Sequence, residues 1–315
     1  MEKIVFLDRS TVKAEFREPS FEHQWTDYQM TQPDETAARL QNATIAVTNK
    51  VALREATLEQ LPNLKMIAVA ATGTDCVDNQ YCRQKKIVVS NVRDYSIHSV
   101  PEEVFNLILA LMRNLIAYHE DINRGTWQKS EIFCLLDHPI RELYGATLGI
   151  VGYGSLGKAV EKIALAFGMK VLISERKNAP DVRSGRASSE KVLRESDVIT
   201  LHCPLTAETR NLIGEKELEQ MKNSALLINC GRGGLVDEKA LVEALKSKKI
   251  AGAGFDVLTT EPPRGGNPLL EIQLPNLIVM PHIAWASVAA MQMLADVLIA
   301  NLEAFVKGQP QNVVS

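Results

Sequence analysis

The chain has 315 residues, a length that suggests about two domains. Hydrophobic residues make up 46% and charged residues 23%, which excludes a disordered or fibrous protein. With 35 basic and 38 acidic residues the net charge is −3, so no overall field draws the chain to nucleic acid or to an anionic membrane.

The first apolar run, residues 4–7, stops at Asp8-Arg9; it is too short for a secretory signal core and reads as a strand. Runs at 45–47, 66–69 and 87–89 have strand length and no polar alternation, the pattern of parallel strands buried on both faces. Segments such as 34–40 supply crossover helices, and a small parallel α/β domain over residues 1–98 is expected. Ser99-Val100-Pro101-Glu102-Glu103 then reads as a helix start, with acids where the helix dipole favours them. That helix, extended to about residue 120, is apolar on most of its surface and must be covered by its own protein or by a second subunit. A homodimer joined through it is expected. The longest apolar stretch, 104–112, is far below the ~18–20 residues that span a bilayer, so no membrane partner is expected.

From residue 147 the alternation restarts. Strand-like runs at 147–151, 170–173, 198–201, 225–228, 253–257 and 277–280 alternate with helical stretches such as 156–167, 189–195 and 238–246. A final amphipathic helix covers 287–307. The expected division is a six-stranded doubly wound domain over 99–286, with 287–315 joined to the domain of residues 1–98. Cys76, Cys82, Cys134, Cys203 and Cys230 are odd in number and lie at no metal-ligand or CxxC spacing. Free thiols in a reducing, cytoplasmic setting follow, and no metal is expected.

Gly152-Tyr153-Gly154-Ser155-Leu156-Gly157 is a GxGxxG loop lying between a strand and a helix, the context that makes this motif specific. Its glycines let backbone amides approach a pyrophosphate that the helix N-terminus stabilises. Glu175 lies 23 residues beyond Gly152 at the end of the next strand. A carboxylate there accepts hydrogen bonds from the adenosine ribose and repels a 2′-phosphate, so NAD is favoured over NADP. Arg176 and Lys177 beside it carry the charge to pair with such a phosphate.

Three later segments stand at strand ends: Asn229-Cys230-Gly231-Arg232-Gly233-Gly234, Phe255-Asp256-Val257 leading to Glu261-Pro262, and Pro281-His282-Ile283-Ala284. Together with Leu201-His202-Cys203-Pro204-Leu205-Thr206, Thr209, and Gly73-Thr74-Asp75 with Asp78, this ordered set resembles the D-isomer-specific 2-hydroxyacid dehydrogenase family over nearly the whole chain. The resemblance implies two doubly wound parallel-sheet domains, a Rossmann coenzyme domain and a smaller flavodoxin-like substrate domain. It implies hydride transfer between NAD(H) and a small 2-oxo or 2-hydroxy acid.

The resemblance also assigns roles that suit the residue types. Arg232 binds the substrate carboxylate and polarises the carbonyl, a task for a planar, permanently charged group. His282 is the acid, since histidine titrates near neutrality, and Glu261 pairs with it and fixes its tautomer. Backbone amides of Gly73 and Thr74 hold the carboxylate, and Asp256 orients the nicotinamide carboxamide. Ser155, Leu156, Arg176, Cys203, Pro204, Thr209, Cys230 and Gly231 line the coenzyme site. The segment from His282 to Ser287 resembles that of bacterial glycerate dehydrogenases, which implies hydroxypyruvate or glyoxylate as substrate, with Trp285 walling the pocket and offering its indole N–H. The family's transcriptional corepressors keep a similar Arg, Glu and His, so a nucleotide-sensing interaction protein is the alternative, as is a lactate or phosphoglycerate dehydrogenase. The chain departs from the common pattern at Glu175 (usually Asp), Ser155 (often Arg) and Met280 (often Thr).

Overall fold

In the computed structural model, which describes residues 1–314, the N-terminal stretch forms β1 (Glu2–Phe6), β2 (His23–Asp27), α1 (Thr36–Leu40), β3 (Ile45–Thr48), α2 (Glu55–Leu58), β4 (Met66–Val69), α3 (Asn79–Lys85) and β5 (Val88–Ser90). The strands pair in parallel in the order β2-β1-β3-β4-β5. β3 and β4 are buried along their whole length, which is why their sequences run apolar without alternation. β2 was not among the expected strands. His23-Gln24-Trp25-Thr26-Asp27 lies at the sheet edge, partly exposed, and an edge strand carries polar residues rather than an apolar run.

These elements form one unit, Met1–Ser96, together with the chain from Ala286 onward. The last helix, Val288–Val306, is long and apolar enough to cross a membrane by length and composition. Leu294, Leu298 and Leu302 are buried within the unit instead, and the buried Asn301 amide donates to the Asn91 carbonyl at 2.9 Å. That polar bond belongs to a core helix.

The second unit, Ile97–Trp285, contains α4 (Ser99–Met112), α5 (Leu115–Asn123), β6 (Thr147–Val151), α6 (Ser155–Ala166), β7 (Lys170–Ile173), α7 (Ser189–Glu195), β8 (Val198–Leu201), α8 (Glu215–Gln220), β9 (Leu226–Asn229), α9 (Glu238–Lys246), β10 (Gly252–Phe255) and β11 (Leu277–Val279). Its sheet is parallel with the order β11-β10-β9-β8-β6-β7. The chain reverses its course across the sheet between β6 and β8. Open α/β sheets bind ligands at that switch, outside the C-terminal strand ends.

The single helix expected from residue 99 to about 120 is broken. α4 ends at Met112, Asn114 takes a left-handed backbone (φ 51°), and α5 starts at Leu115. Asparagine tolerates that conformation better than most residues, so the chain turns there. The unit's own core covers α4: Val104, Leu107, Ile108 and Leu111 are buried, and a Cβ on Gly254 of β10 would lie 3.0 Å from Leu107 Cβ. Exposed apolar surface appears further along instead, at Leu115 (60% exposed), Phe133 (90%), Leu136 (74%) and Tyr144 (81%).

Candidate active site

The glycine loop joins β6 to α6 at the switch point. Gly152 has φ 93°, and a Cβ there would meet Cys203 N at 2.5 Å and His202 O at 2.7 Å, so the loop presses against the end of β8. A Cβ on Gly157 would strike Gly152 O at 2.4 Å, which is the close helix–loop packing the motif requires. Gly154 differs: a Cβ there meets nothing within 4 Å among the described residues. Gly154 is also the N-cap of α6 and provides no side-chain cap for the first-turn N–H groups. Open space before uncapped helical N–H groups fits a dinucleotide pyrophosphate. Ser155 and Leu156 begin the helix, Leu156 against the core. Beside the loop, the His202 imidazole bonds Thr200 Oγ1 at 2.9 Å, while its Nδ1 has no partner among the described residues. Thr209 Oγ1 donates to Pro204 O and accepts from Thr206 N, each at 2.7 Å, so it ties the turn after Cys203.

At the end of β7, Glu175 is not the open carboxylate that its spacing suggests. It is 4% exposed and accepts the Arg176 N–H at 2.8 Å, the Arg183 Nε at 2.6 Å and a second Arg183 nitrogen. The Arg183 side chain, with the Arg176 amide, holds the carboxyl down to about 2.

The catalytic constellation is built on the loops after β9, β10 and β11. Asn229, 1% exposed, ends β9 and shapes the next turn: its Nδ2 donates to Arg232 O (3.0 Å) and its Oδ1 accepts from Gly231 N (3.1 Å). A Cβ on Gly233 would lie 1.8 Å from Leu258 O, so glycine alone lets the Arg232 turn lie against the loop that carries Glu261. Cys230 is buried, and burial pushes its thiol well up. Glu261 accepts the Leu258 N–H with one oxygen (2.8 Å), and its other oxygen lies 2.5 Å from His282 Nδ1. Nε2 is therefore the imidazole nitrogen left to exchange a proton with substrate.

Asp256 and Trp285 both make bonds to the backbone of the His282 turn. The Asp256 carboxylate is 1% exposed and accepts the N–H groups of Ile283 and Ala284, both at 2.8 Å. Its oxygens hold the turn after His282. Burial pushes its carboxyl up, and the nearby Glu261 adds to that, against the pull of the two amides and of His282. The Trp285 indole N–H donates to His282 O at 3.0 Å, so it is engaged with the backbone rather than presented to substrate. His282 itself has φ 57°. Ser99, at the start of α4, adds a bond from its hydroxyl to Ala284 O at 2.5 Å. Gly73 and Thr74 lie in the other unit, in the loop after β4, where Asn79 donates to Thr74 Oγ1 at 3.0 Å.

Residues 105–284 match the model of the D-isomer specific 2-hydroxyacid dehydrogenase NAD-binding domain. The chain belongs to this family. It is 54% identical to the glycerate dehydrogenase of Methylorubrum extorquens, over 99% of this chain and 98% of that one. It is 37% identical to the hydroxypyruvate reductase of Blautia hydrogenotrophica, over 91% and 89%. The structure of Aquifex aeolicus D-lactate dehydrogenase complexed with NAD and lactic acid aligns with a TM-score of 0.77 at 29% identity, covering 97% of this chain and 96% of that one.

The dehydrogenase is thus an NAD-dependent enzyme transferring a hydride between NAD(H) and a 2-oxo or 2-hydroxy acid. Bound NADH supplies the hydride. Arg232, a permanent cation on the turn after β9, is the group expected to meet the acid's carboxylate and carbonyl oxygen. His282 is the residue expected to give a proton from Nε2 to the forming alkoxide, and Glu261, bonded at Nδ1, fixes the orientation of the ring. In oxidation the same nitrogen is expected to take the proton back. Asn229, Ser99 and Arg183 were not singled out from sequence. Asn229 carried a readable signal, a polar residue closing the buried run Leu226-Leu227-Ile228.

Proposed function

We propose that this dehydrogenase reduces hydroxypyruvate and glyoxylate in preference to pyruvate and to branched 2-oxo acids. The observation that carries the reading is the near full-length match to a glycerate dehydrogenase at 54% identity. The Trp285 side chain, held on the His282 turn three residues from the expected acid, is the residue we assign to limiting substrate size. Steady-state kinetics with NADH over these four substrates tests it. Hydroxypyruvate and glyoxylate should lead in kcat/KM by at least about tenfold. A lead for pyruvate or a branched acid contradicts the assignment and leaves the dehydrogenase class standing.

We also infer a cytoplasmic homodimer. Leu115, Ile122, Trp127, Phe133, Leu136 and Tyr144 expose large apolar side chains along one stretch of the second unit, which supports a contact between two copies there. The free cysteines support a reducing compartment. Light scattering at micromolar concentration should give twice the chain mass, and Phe133→Asp should shift it to the monomer. A monomeric wild type contradicts the inference.

A further inference from the structure

The segment after β7 folds back on the strand end from which it leaves. Glu175 N donates to Ala187 O and Ala187 N to Ile173 O, both at 2.8 Å, so residues 176–186 form a flap pinned at both ends. The flap carries Arg176, Lys177, Arg183 and Arg186 against a single acid of its own, Asp181, with Glu175 at its base. Lys177 is paired with Glu217 at 2.8 Å. Two guanidinium groups, those of Arg183 and Arg186, stand at Glu175, with the exposed side chain of Arg176 next in sequence. Arg183 grips both its oxygens, Arg186 Nε stands 4.0 Å away while another Arg186 nitrogen donates to Ser174 O (3.0 Å), and Arg176 lies adjacent with its side chain exposed. Arg186 also lies 6.0 Å from the ring centre of Tyr153 in the glycine loop, which places the cluster at the coenzyme's adenosine end.

A carboxylate offers about four lone-pair positions. Those of Glu175 meet the Arg176 amide, the Arg183 amide (3.3 Å) and two nitrogens of the Arg183 side chain. Neither acceptance of ribose hydroxyls nor repulsion of a 2′-phosphate is then left to a bare carboxylate. The Arg183 side chain is itself 57% exposed, so part of the fork faces outward.

We propose that Arg183 is the specificity-determining residue at the adenosine end: by neutralising Glu175 and joining Arg176 and Arg186, it makes a site for a 2′-phosphate, so the enzyme takes NADP(H) alongside NAD(H). Planar guanidinium groups suit a phosphate dianion, to which they donate paired hydrogen bonds. Loss of Arg183 returns the site to a carboxylate open to ribose hydroxyls and hostile to phosphate.

Calorimetric titration with ADP-ribose and with 2′-phospho-ADP-ribose tests this without turnover. The wild type should bind the two within about tenfold of each other. Arg183→Ala should move the ratio toward ADP-ribose by at least about threefold, and Glu175→Gln should move it the other way. Should Arg183→Ala unfold, Arg176→Ala, at an exposed side chain, should still shift the ratio toward ADP-ribose by at least about threefold. A wild-type preference for ADP-ribose above about tenfold overturns the proposal, as does a ratio that moves less than about threefold in the folded arginine variants.

Discussion

The indole N–H of Trp285 donates to the carbonyl oxygen of His282 at 3.0 Å, across the same turn whose next two amides are held by Asp256. A left-handed backbone at a non-glycine residue costs roughly 1–2 kcal/mol. Each of the three bonds contributes about 0.5–1.5 kcal/mol, and those to the carboxylate lie at the upper end, so together they offset the cost at His282 (φ 57°). Trp285 is therefore a positioning residue for His282.

Trp285→Phe keeps an aromatic side chain while removing the indole N–H donor and part of the ring volume. The kcat for hydroxypyruvate should fall about three- to tenfold with KM changing less than about twofold. A change confined to KM would mean that Trp285 only walls the pocket.

Asp256→Asn replaces one of two acceptor oxygens with an N–H₂ group facing the amides of Ile283 and Ala284. The resulting unpaired buried N–H should cost about 1–3 kcal/mol, seen as a drop in kcat and in melting temperature together. Unchanged values in both would show that the clamp contributes nothing.

Gly233→Ala places a methyl group 1.8 Å from Leu258 O, an overlap with backbone on both sides. The Arg232 turn must shift away from the Glu261 loop, at a cost of about 1–3 kcal/mol in stability. Hydroxypyruvate KM should rise with it, because the guanidinium moves from the substrate carboxylate. Chemical denaturation and steady-state kinetics read the two effects separately.

The β-α alternation, the glycine loop and the strand-end turns were legible because buried parallel strands run apolar and because each turn ends in a chemically distinctive residue. β2 was hidden by its position at the edge, and the break at Asn114 by apolar residues on both sides of it. The roles of Asp256 and Trp285 depend on bonds to backbone amides and a carbonyl, which residue type does not announce. The Arg183–Glu175 pair joins residues eight positions apart through a flap that no periodicity marks.

Acid should destabilise the protein in two stages. Burial pushes the His202 imidazole down to about 4 from its usual 6.5. The unfolded chain then holds a proton that the folded chain refuses, so stability falls as pH drops from 6.5 toward 4. Glu175, held at about 2 by Arg183, and Glu303, held at about 2 by Arg17, stabilise above 4.5 and lose that contribution as pH falls toward 2. Melting temperature against pH should show both declines, and His202→Asn should flatten the first alone. An identical slope in the variant would remove His202 as its cause.

His282 as the proton donor is tested most directly by His282→Asn, since asparagine accepts the left-handed backbone and lacks the acid. Turnover of hydroxypyruvate should fall about 10²–10⁴-fold while NADH binding, followed by fluorescence titration, stays within about twofold of wild type. Turnover of the variant within about twofold of wild type, or a loss matched by an equal loss of NADH affinity, would contradict the assignment of His282 as the acid.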